Sequence, residues 1–381
     1  MPESPPRRAL RGTTAAEFEA AGLYDPAAPN AAERLRLLEW FAAQGLSLDQ
    51  MVAGMGRGTL TGLAADLALR PGERRRLSEL AAALGMPAER IERLRLAAGL
   101  PPSEPDAPVF TPDDAAMLRT FQLGAELFGE PFVLPFVRVV GSALARVAEA
   151  AISLYLVNVE RPLVEASASE VSLAQANLDA MHSLNSIPPV LEALFRAHLE
   201  NAIRRSRQAR AHAGSDLAQM TVGFVDLVGF TPLSRQLASR ELGVLVDDFE
   251  TLAIEVTTAR DGRLVKIIGD EVMFVAVEAA RACDIALTLI ERFGASASVT
   301  PRGGLASGAL LMRGGDYYGS IVNLASRIAD LAVPSEVLVT AEVVAQADAK
   351  DLHFEPAGRR MLKGFDDPVT LYSAGRVAAQ W

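Results

Sequence analysis

The chain is 381 residues long, half of them hydrophobic and 22% charged, with a formal net charge of −10. That length predicts two or three domains, the composition excludes a disordered chain, and the acidic balance argues against a nucleic-acid surface. A single cysteine, Cys283, excludes an intrachain disulfide and fits a reducing, cytoplasmic setting.

The first dozen residues (MPESPPRRALRG) have no apolar core, so they do not read as a secretory signal. From about 13 to 210 the apolar spacing is helical almost throughout, punctuated by Asp25-Pro26, Gly45, Gly58, Pro71-Gly72, Gly85 and the 101–108 linker PPSEPDAP. Thr111-Pro112-Asp113-Asp114 predicts a helix start, with an N-cap, a first-turn proline and first-turn acids. A long helix or helix pair is expected over 132–166. Arg138, Arg146 and Glu149 interrupt its apolar run, so no transmembrane segment is predicted. A further helix covers 172–183, and after Pro188-Pro189 an amphipathic helix turns strongly basic. Residues 78–96 have helix-turn-helix spacing, but Glu89 and Glu92 offset Arg90, Arg93 and Arg95. A helix pair packing a core is the preferred reading there, and DNA is not an expected partner. The reading is an all-α domain over 1–187, a helical connector over 188–213 and a different domain over 214–381.

From Met220 the period changes to that of strands. MTVGFVDLVGF predicts a strand, and Thr231-Pro232 opens a helix reaching about residue 260. A hairpin over 263–277 follows, then a helix through Cys283 to Phe293 and a strand over 299–312. A loop over 313–319 leads to a helix over 320–331, a strand over 336–340, and at least two more strands between 353 and 374. Strands alternating with helices and hairpins indicate an α/β domain with a mixed sheet covered by helices.

Three stretches carry chemistry. In RLVKIIGDEVMFVAV, residues 263–277, an apolar strand holds Lys266 and its turn holds Asp270. The chain has only three lysines among 37 basic residues, so a compact ammonium here is unusual, although it could simply snorkel to a sheet edge. Asp226 ends the strand before Leu227-Val228-Gly229-Phe230-Thr231. On a neighbouring strand to Asp270 it would complete a two-carboxylate site of the kind Mg²⁺ or Mn²⁺ favours. The backbone at Gly229, Phe230 and Thr231 would then seat a phosphate, unless it makes only a turn and an N-cap. In GGDYYGSIVNLASR, residues 314–327, Asn323 and Arg327 share a helix face downstream of Asp316. A neutral donor beside a guanidinium suits a phosphoryl group in transfer, and a solvated face is the plainer alternative.

Together these six positions resemble the class III adenylyl cyclase catalytic domain over about 216–376. The resemblance implies a ferredoxin-like α/β fold and a pair of divalent ions per site, Mg²⁺ or Mn²⁺, on Asp226 and Asp270. It implies Lys266 and Asp316 on the purine, Asn323 on the ribose, Arg327 on the phosphate, and Lys363 as a further phosphate contact. Lysine only donates and aspartate only accepts, the complement of adenine N1 and N6, so ATP rather than GTP is the expected substrate. The family builds each site across a dimer interface, so a homodimer is expected. The helical front resembles the regulatory domain of mycobacterial soluble, pH-responsive adenylyl cyclases. His198 in the connector and His353 in the catalytic part are candidate pH sensors; of the other two histidines, His212 also sits in the connector and His182 precedes it. The apolar helices of 132–157 have the composition to hold a lipid, with plain core packing as the alternative. Rival readings are a catalytically silent, dimerising cyclase-like sensor module, a diguanylate cyclase suggested by Gly314-Gly315-Asp316, and a DNA-binding regulator.

Overall fold

The computed structural model describes residues 13–377 except 57, 59, 105, 185, 212–216, 295–298 and 349, so His212 lies outside the described residues. It divides into two compact units, Met1–Phe195 and Arg196–Trp381, with the division inside one continuous helix.

The first unit is all-helical. Its elements are α1 (Ala15–Ala20), α2 (Ala31–Ala43), α3 (Leu48–Gly56), α4 (Leu63–Leu69), α5 (Leu77–Leu84), α6 (Ala88–Ala97), α7 (Pro112–Phe128), α8 (Glu130–Tyr155), a π-helical turn (Leu156–Glu160), α9 (Arg161–Glu165) and α10 (Glu170–Leu184). The predicted start of α7 is present, with Thr111 and Asp114 forming a capping box. Phe18, Leu37, Phe41, Leu63 and Ala174 build one core, and Leu80, Ile91, Phe110, Leu118 and Val137 a second. The 78–96 stretch is α5 and α6, joined by a left-handed Gly85. Arg90 and Arg93 of α6 pair with Glu130, and Arg95 lies buried over the Phe110 ring. The basic residues of this helix pair are therefore spent inside the unit. Among the described residues one helical run, Glu130–Glu165, is long and apolar enough by length and composition to cross a membrane, and little of it is buried. Its Val133 and Val137 pack into the second core.

Helix α11 (Ile187–Ala211) leads into the second unit. There follow β1 (Ala218–Val228), α12 (Phe230–Ser234), α13 (Ser239–Ala259), β2 (Arg263–Ile268), β3 (Glu271–Ala276), α14 (Ala279–Gly294), β4 (Thr300–Arg313), β5 (Asp316–Tyr318), α15 (Ser320–Leu331), β6 (Val337–Thr340), α16 (Ala341–Gln346), β7 (Leu352–Arg360) and β8 (Val369–Arg376). The sheet is eight-stranded, in the order β2-β3-β1-β4-β6-β8-β7 with β5 on β4. The β4–β6 pairing is parallel and the others antiparallel, so the sheet is mixed as expected.

Both faces are covered, which explains the near-continuous apolar strands. Val225, Leu227, Val272 and Phe274 pack with Phe249 of α13 and Cys283 of α14. Their strand neighbours Met220, Val222, Phe224 and Met273 pack on the other face with Ala325 and Ile328 of α15, Tyr317 of β5 and Ala209 of α11. Two details depart from expectation. The single helix from 231 to 260 is broken into α12 and α13, because the Ala238 N–H is taken by the Glu241 carboxylate at 3.1 Å, which starts a new helix. The 313–319 loop contains β5, since Gly314 (φ 60°) and Gly315 (φ 77°) form a two-residue hairpin turn.

Candidate active site

Lys266 lies on β2, an edge strand, and its side chain is 39% exposed. It does reach toward the sheet edge, and there it meets a partner. Lys266 Nζ donates to Asp316 Oδ2 at 2.6 Å, tying β2 to the β4–β5 hairpin. The other oxygen, Asp316 Oδ1, accepts the Tyr317 N–H at 2.8 Å. Arg263, also on β2, donates to the Gly315 carbonyl at 2.6 Å and lies over the buried Tyr317 ring. Arg205 of α11 is within electrostatic reach of Arg263 and Tyr317. Burial, helped by Arg263, pulls its guanidinium below the ordinary value.

The acidic residues gather at the end of β1. In register, Asp226 stands opposite Glu271 on β3 and Arg302 on β4. Asp270 occupies the β2–β3 turn, where its carbonyl accepts the Leu227 N–H at 3.2 Å. Asp226 is not the lone buried carboxylate that its strand suggests. Arg302 Nε and Nη2 donate to its Oδ2 at 3.1 and 3.0 Å, while Arg302 Nη1 holds the Asp330 and Ala332 carbonyls at 2.7 and 3.2 Å. The ion pair is partly buried on both sides. Burial and then the Asp226 charge hold Asp270 above the usual carboxylate range, with Arg302 opposing. Glu271 is pushed up to about 7 by burial first, then by the carboxylates of Asp226, Asp330 and Asp270. Excess negative charge is concentrated here, and one guanidinium offsets part of it. Among the described residues no group of three or more His, Cys, Asp or Glu side chains is close enough to hold an ion by itself.

Asn323 and Arg327 are exposed on α15, one turn apart, and Arg327 Nη1 pairs with Asp330 of the same helix at 3.1 Å. Helix α15 lies unusually close to the sheet. A Cβ at Gly304 of β4 would stand 2.1 Å from the Ala329 nitrogen, so only glycine lets the backbones approach this far. Among the described residues no hydrogen bond or ion pair joins the Lys266–Asp316 pair to the Asp226–Arg302 pair.

Comparison with known proteins identifies the family of the chain. Residues 17–203 match the adenylate cyclase regulatory domain, and residues 214–374 the adenylate and guanylate cyclase catalytic domain. The pH-sensitive adenylate cyclase of Mycobacterium tuberculosis is 32% identical over 366 residues, which span 92% of this chain and 89% of that protein. The chain belongs to the adenylate cyclase family. An uncharacterised protein of the same species is 33% identical to this cyclase over 359 residues, 93% of this chain and 92% of its own. The solved adenylyl cyclase CyaB of P. aeruginosa aligns with a TM-score of 0.39 at 23% identity, covering 42% of this chain and 95% of that one.

The remaining predicted positions of the cyclase fall as follows. Gly229 is left-handed (φ 81°) and precedes α12, whose first two residues are Phe230 and Thr231. The Leu227 amide is committed to the Asp270 carbonyl, so it adds no donor to those expected at Gly229, Phe230 and Thr231. Lys363 is exposed in the turn between β7 and β8, at the sheet edge opposite β2. His198 is exposed on α11. The His353 ring lies over Gly375, with Nε2 3.7 Å from Glu355. Sequence reasoning missed Arg302, Glu271 and Arg263. A charged residue opposite a strand aspartate was the available signal for Arg302, once β1 and β4 are paired.

Proposed function

We propose that this cyclase converts ATP into 3′,5′-cyclic AMP and pyrophosphate at sites shared between two copies of the chain, in the cytoplasm. The observation that carries the reading is the Lys266–Asp316 pair: a donor-only and an acceptor-only side chain, 2.6 Å apart, held between two elements. Adenine presents an acceptor at N1 and a donor at N6, which this pair complements; guanine presents the reverse polarity. Asp316 Oδ1 keeps the Tyr317 amide, leaving Oδ2 and the lysine for the base.

The acidic end has the donor chemistry for a divalent cation. It offers hard carboxylate oxygens from Asp226 and Asp270, with Asp270 raised by burial and then by the neighbouring Asp226 charge. Mg²⁺ or Mn²⁺ there, two per site, would neutralise the triphosphate and make the ribose 3′-hydroxyl a better nucleophile. The chain's own residues do the rest. Lys266 and Asp316 fix the purine, and the backbone from Gly229 through Thr231 offers N–H groups to phosphate. Asn323 orients the ribose. Arg327, free to swing from Asp330, bears on the charge that develops as the 3′-oxygen bonds to the α-phosphorus and the bond to pyrophosphate breaks. The 3′-hydroxyl proton leaves to solvent or to pyrophosphate. Lys363 is a further phosphate contact.

Two copies suit the layout. Asn323 and Arg327 are exposed, and among the described residues no bond joins the purine pair to the acidic pair, so a partner would bring one chain's purine half to the other chain's acidic half. A relative named for pH sensitivity supports pH-dependent activity here; the proposed sign is stimulation by acid, with His198 and His353 as sensors. The test is cyclic AMP formation by the full chain with Mn²⁺ and ATP, measured between about pH 5 and 8. Asp226→Asn and Arg327→Ala should each lose activity, and mixing the two inactive variants should restore about a quarter of it through mixed dimers with one intact site. An inactive wild type would favour the silent sensor module. Failure of mixing would remove the shared site, and an unchanged pH profile in a His198→Ala/His353→Ala variant would remove the sensors.

A further inference from the structure

Two basic residues of β2, Arg263 and Lys266, reach the same hairpin. In a regular strand, residues three apart point to opposite faces. Here the β2–β3 register skips Val265: Leu264 pairs with Phe274 and Lys266 with Met273, so a bulge lies between them. That extra residue reverses the alternation and places Arg263 and Lys266 on one side, as bulges beside functional sites do. Lys266 takes Asp316 Oδ2, and Arg263 takes the residues on either side of Asp316. Its Nη2 donates to the Gly315 carbonyl at 2.6 Å, its Nη1 lies 3.5 Å from the Tyr317 hydroxyl, and its guanidinium sits 5.5 Å from the Tyr317 ring centre.

The hairpin needs such a support. Its turn is Gly314-Gly315, both in left-handed conformation, and glycine leaves the backbone the most freedom to shift. Asp316 is the first residue of a three-residue strand. Among the described residues its Oδ1 is held by the amide of Tyr317, the residue whose ring Arg263 covers. Whatever holds Gly315 and Tyr317 therefore holds the Asp316 carboxylate in place.

We propose that Arg263 is a positioning residue that sets where the Asp316 carboxylate stands, and thereby how strictly the site selects adenine over guanine. It acts through Gly315 and Tyr317 and does not touch the base. The inference rests on the proposed reading of Lys266 and Asp316 as the purine pair. With Arg263 removed, the carboxylate wanders on its glycine turn. Adenine loses part of a fixed acceptor, and guanine O6 meets a weaker repulsion.

The experiment uses the full chain with Mn²⁺, comparing wild type, Arg263→Ala and Arg263→Lys. It measures kcat and KM for ATP, the ratio of kcat/KM for ATP and GTP, the Kd of 3′-deoxy-ATP, which cannot cyclise, and the Mn²⁺ half-saturation. Arg263→Ala should raise the ATP KM and the 3′-deoxy-ATP Kd by about tenfold, the scale of one charge-assisted hydrogen bond. The ATP:GTP ratio should fall by a similar factor, with kcat changed less than about twofold and the Mn²⁺ dependence unmoved. Lysine keeps the charge but cannot span both contacts, so Arg263→Lys should recover most of the ratio, to within about threefold of wild type. An unchanged ATP:GTP ratio in Arg263→Ala overturns the proposal, as does a fall in kcat with KM intact. Should the alanine variant fail to fold, Arg263→Gln takes its place, and an unchanged ATP:GTP ratio in that variant is equally fatal. A wild type that makes no cyclic AMP from ATP would instead remove the parent reading.

Discussion

Replacing Glu271 by glutamine in the metal-free protein should stabilise the catalytic unit, by an amount that grows as pH rises from about 4.5 to about 7 and is full above it. The carboxyl is lifted from its ordinary 4.5 to about 7, mainly by burial and then by three neighbouring carboxylates. Between those values the folded state binds a proton that the unfolded state releases, so stability falls as pH rises through this window. Below about 4.5 the group is protonated in both states and contributes nothing, and above about 7 the full cost is present. At 1.36 kcal/mol per pH unit the shift amounts to roughly 3.4 kcal/mol. The side chain is only partly buried, so screening by water reduces this to about 1.5–2 kcal/mol. Glutamine keeps the size and removes the charge. Calorimetry of the full chain in EDTA, following the endotherm that Mn²⁺ with 3′-deoxy-ATP shifts in a separate run, should give a gain of about 4–8 °C at pH 8 for Glu271→Gln and none at pH 4.5. An equal gain at both pH values, or no gain at pH 8, would refute the electrostatic account of this corner.

Two further outcomes follow from packing. Gly304→Ala forces a methyl to 2.1 Å from the Ala329 nitrogen and 2.7 Å from the Ala325 carbonyl, both backbone atoms of α15. It should cost about 3 kcal/mol, lowering the same endotherm by about 6–12 °C, and reduce activity as Asn323 and Arg327 are displaced; a neutral melt would contradict the close approach. Cys283 is fully buried and its thiol is pushed up to about 12 by burial and then by Asp284, so native protein at pH 8 should not react with a thiol reagent until denatured. Rapid labelling of the native chain would show that the α14 face is open.

How much was legible depends on how local each signal was. Helix α15 runs over the predicted 320–331, since Gly319 ends a strand and an apolar stripe begins at once. The change from helical to strand period near Met220 marked the start of the mixed sheet, because period reports burial directly. Lys266 and Asp316, 50 residues apart, meet as a pair, whereas the sequence supplied only the mismatch of one lysine in an apolar strand. Arg302 escaped notice because its partner lies 76 residues away and becomes visible only through the β1–β4 register. The bulge at Val265 escaped as well, since no Gly or Pro marks it. The break between α12 and α13 turns on one carboxylate–amide contact that helical periodicity does not encode.

The guanidinium resting on Asp226 has a consequence for the life of the protein. Many metalloproteins collapse when stripped of their ion, because nothing else balances the ligands. In this cyclase Arg302 supplies an internal positive charge, anchored to the carbonyls of Asp330 and Ala332. If Asp226 holds a metal as proposed, this end of the sheet carries its own counter-charge before the ion arrives, and the cation competes with Arg302 for the same carboxylate oxygen.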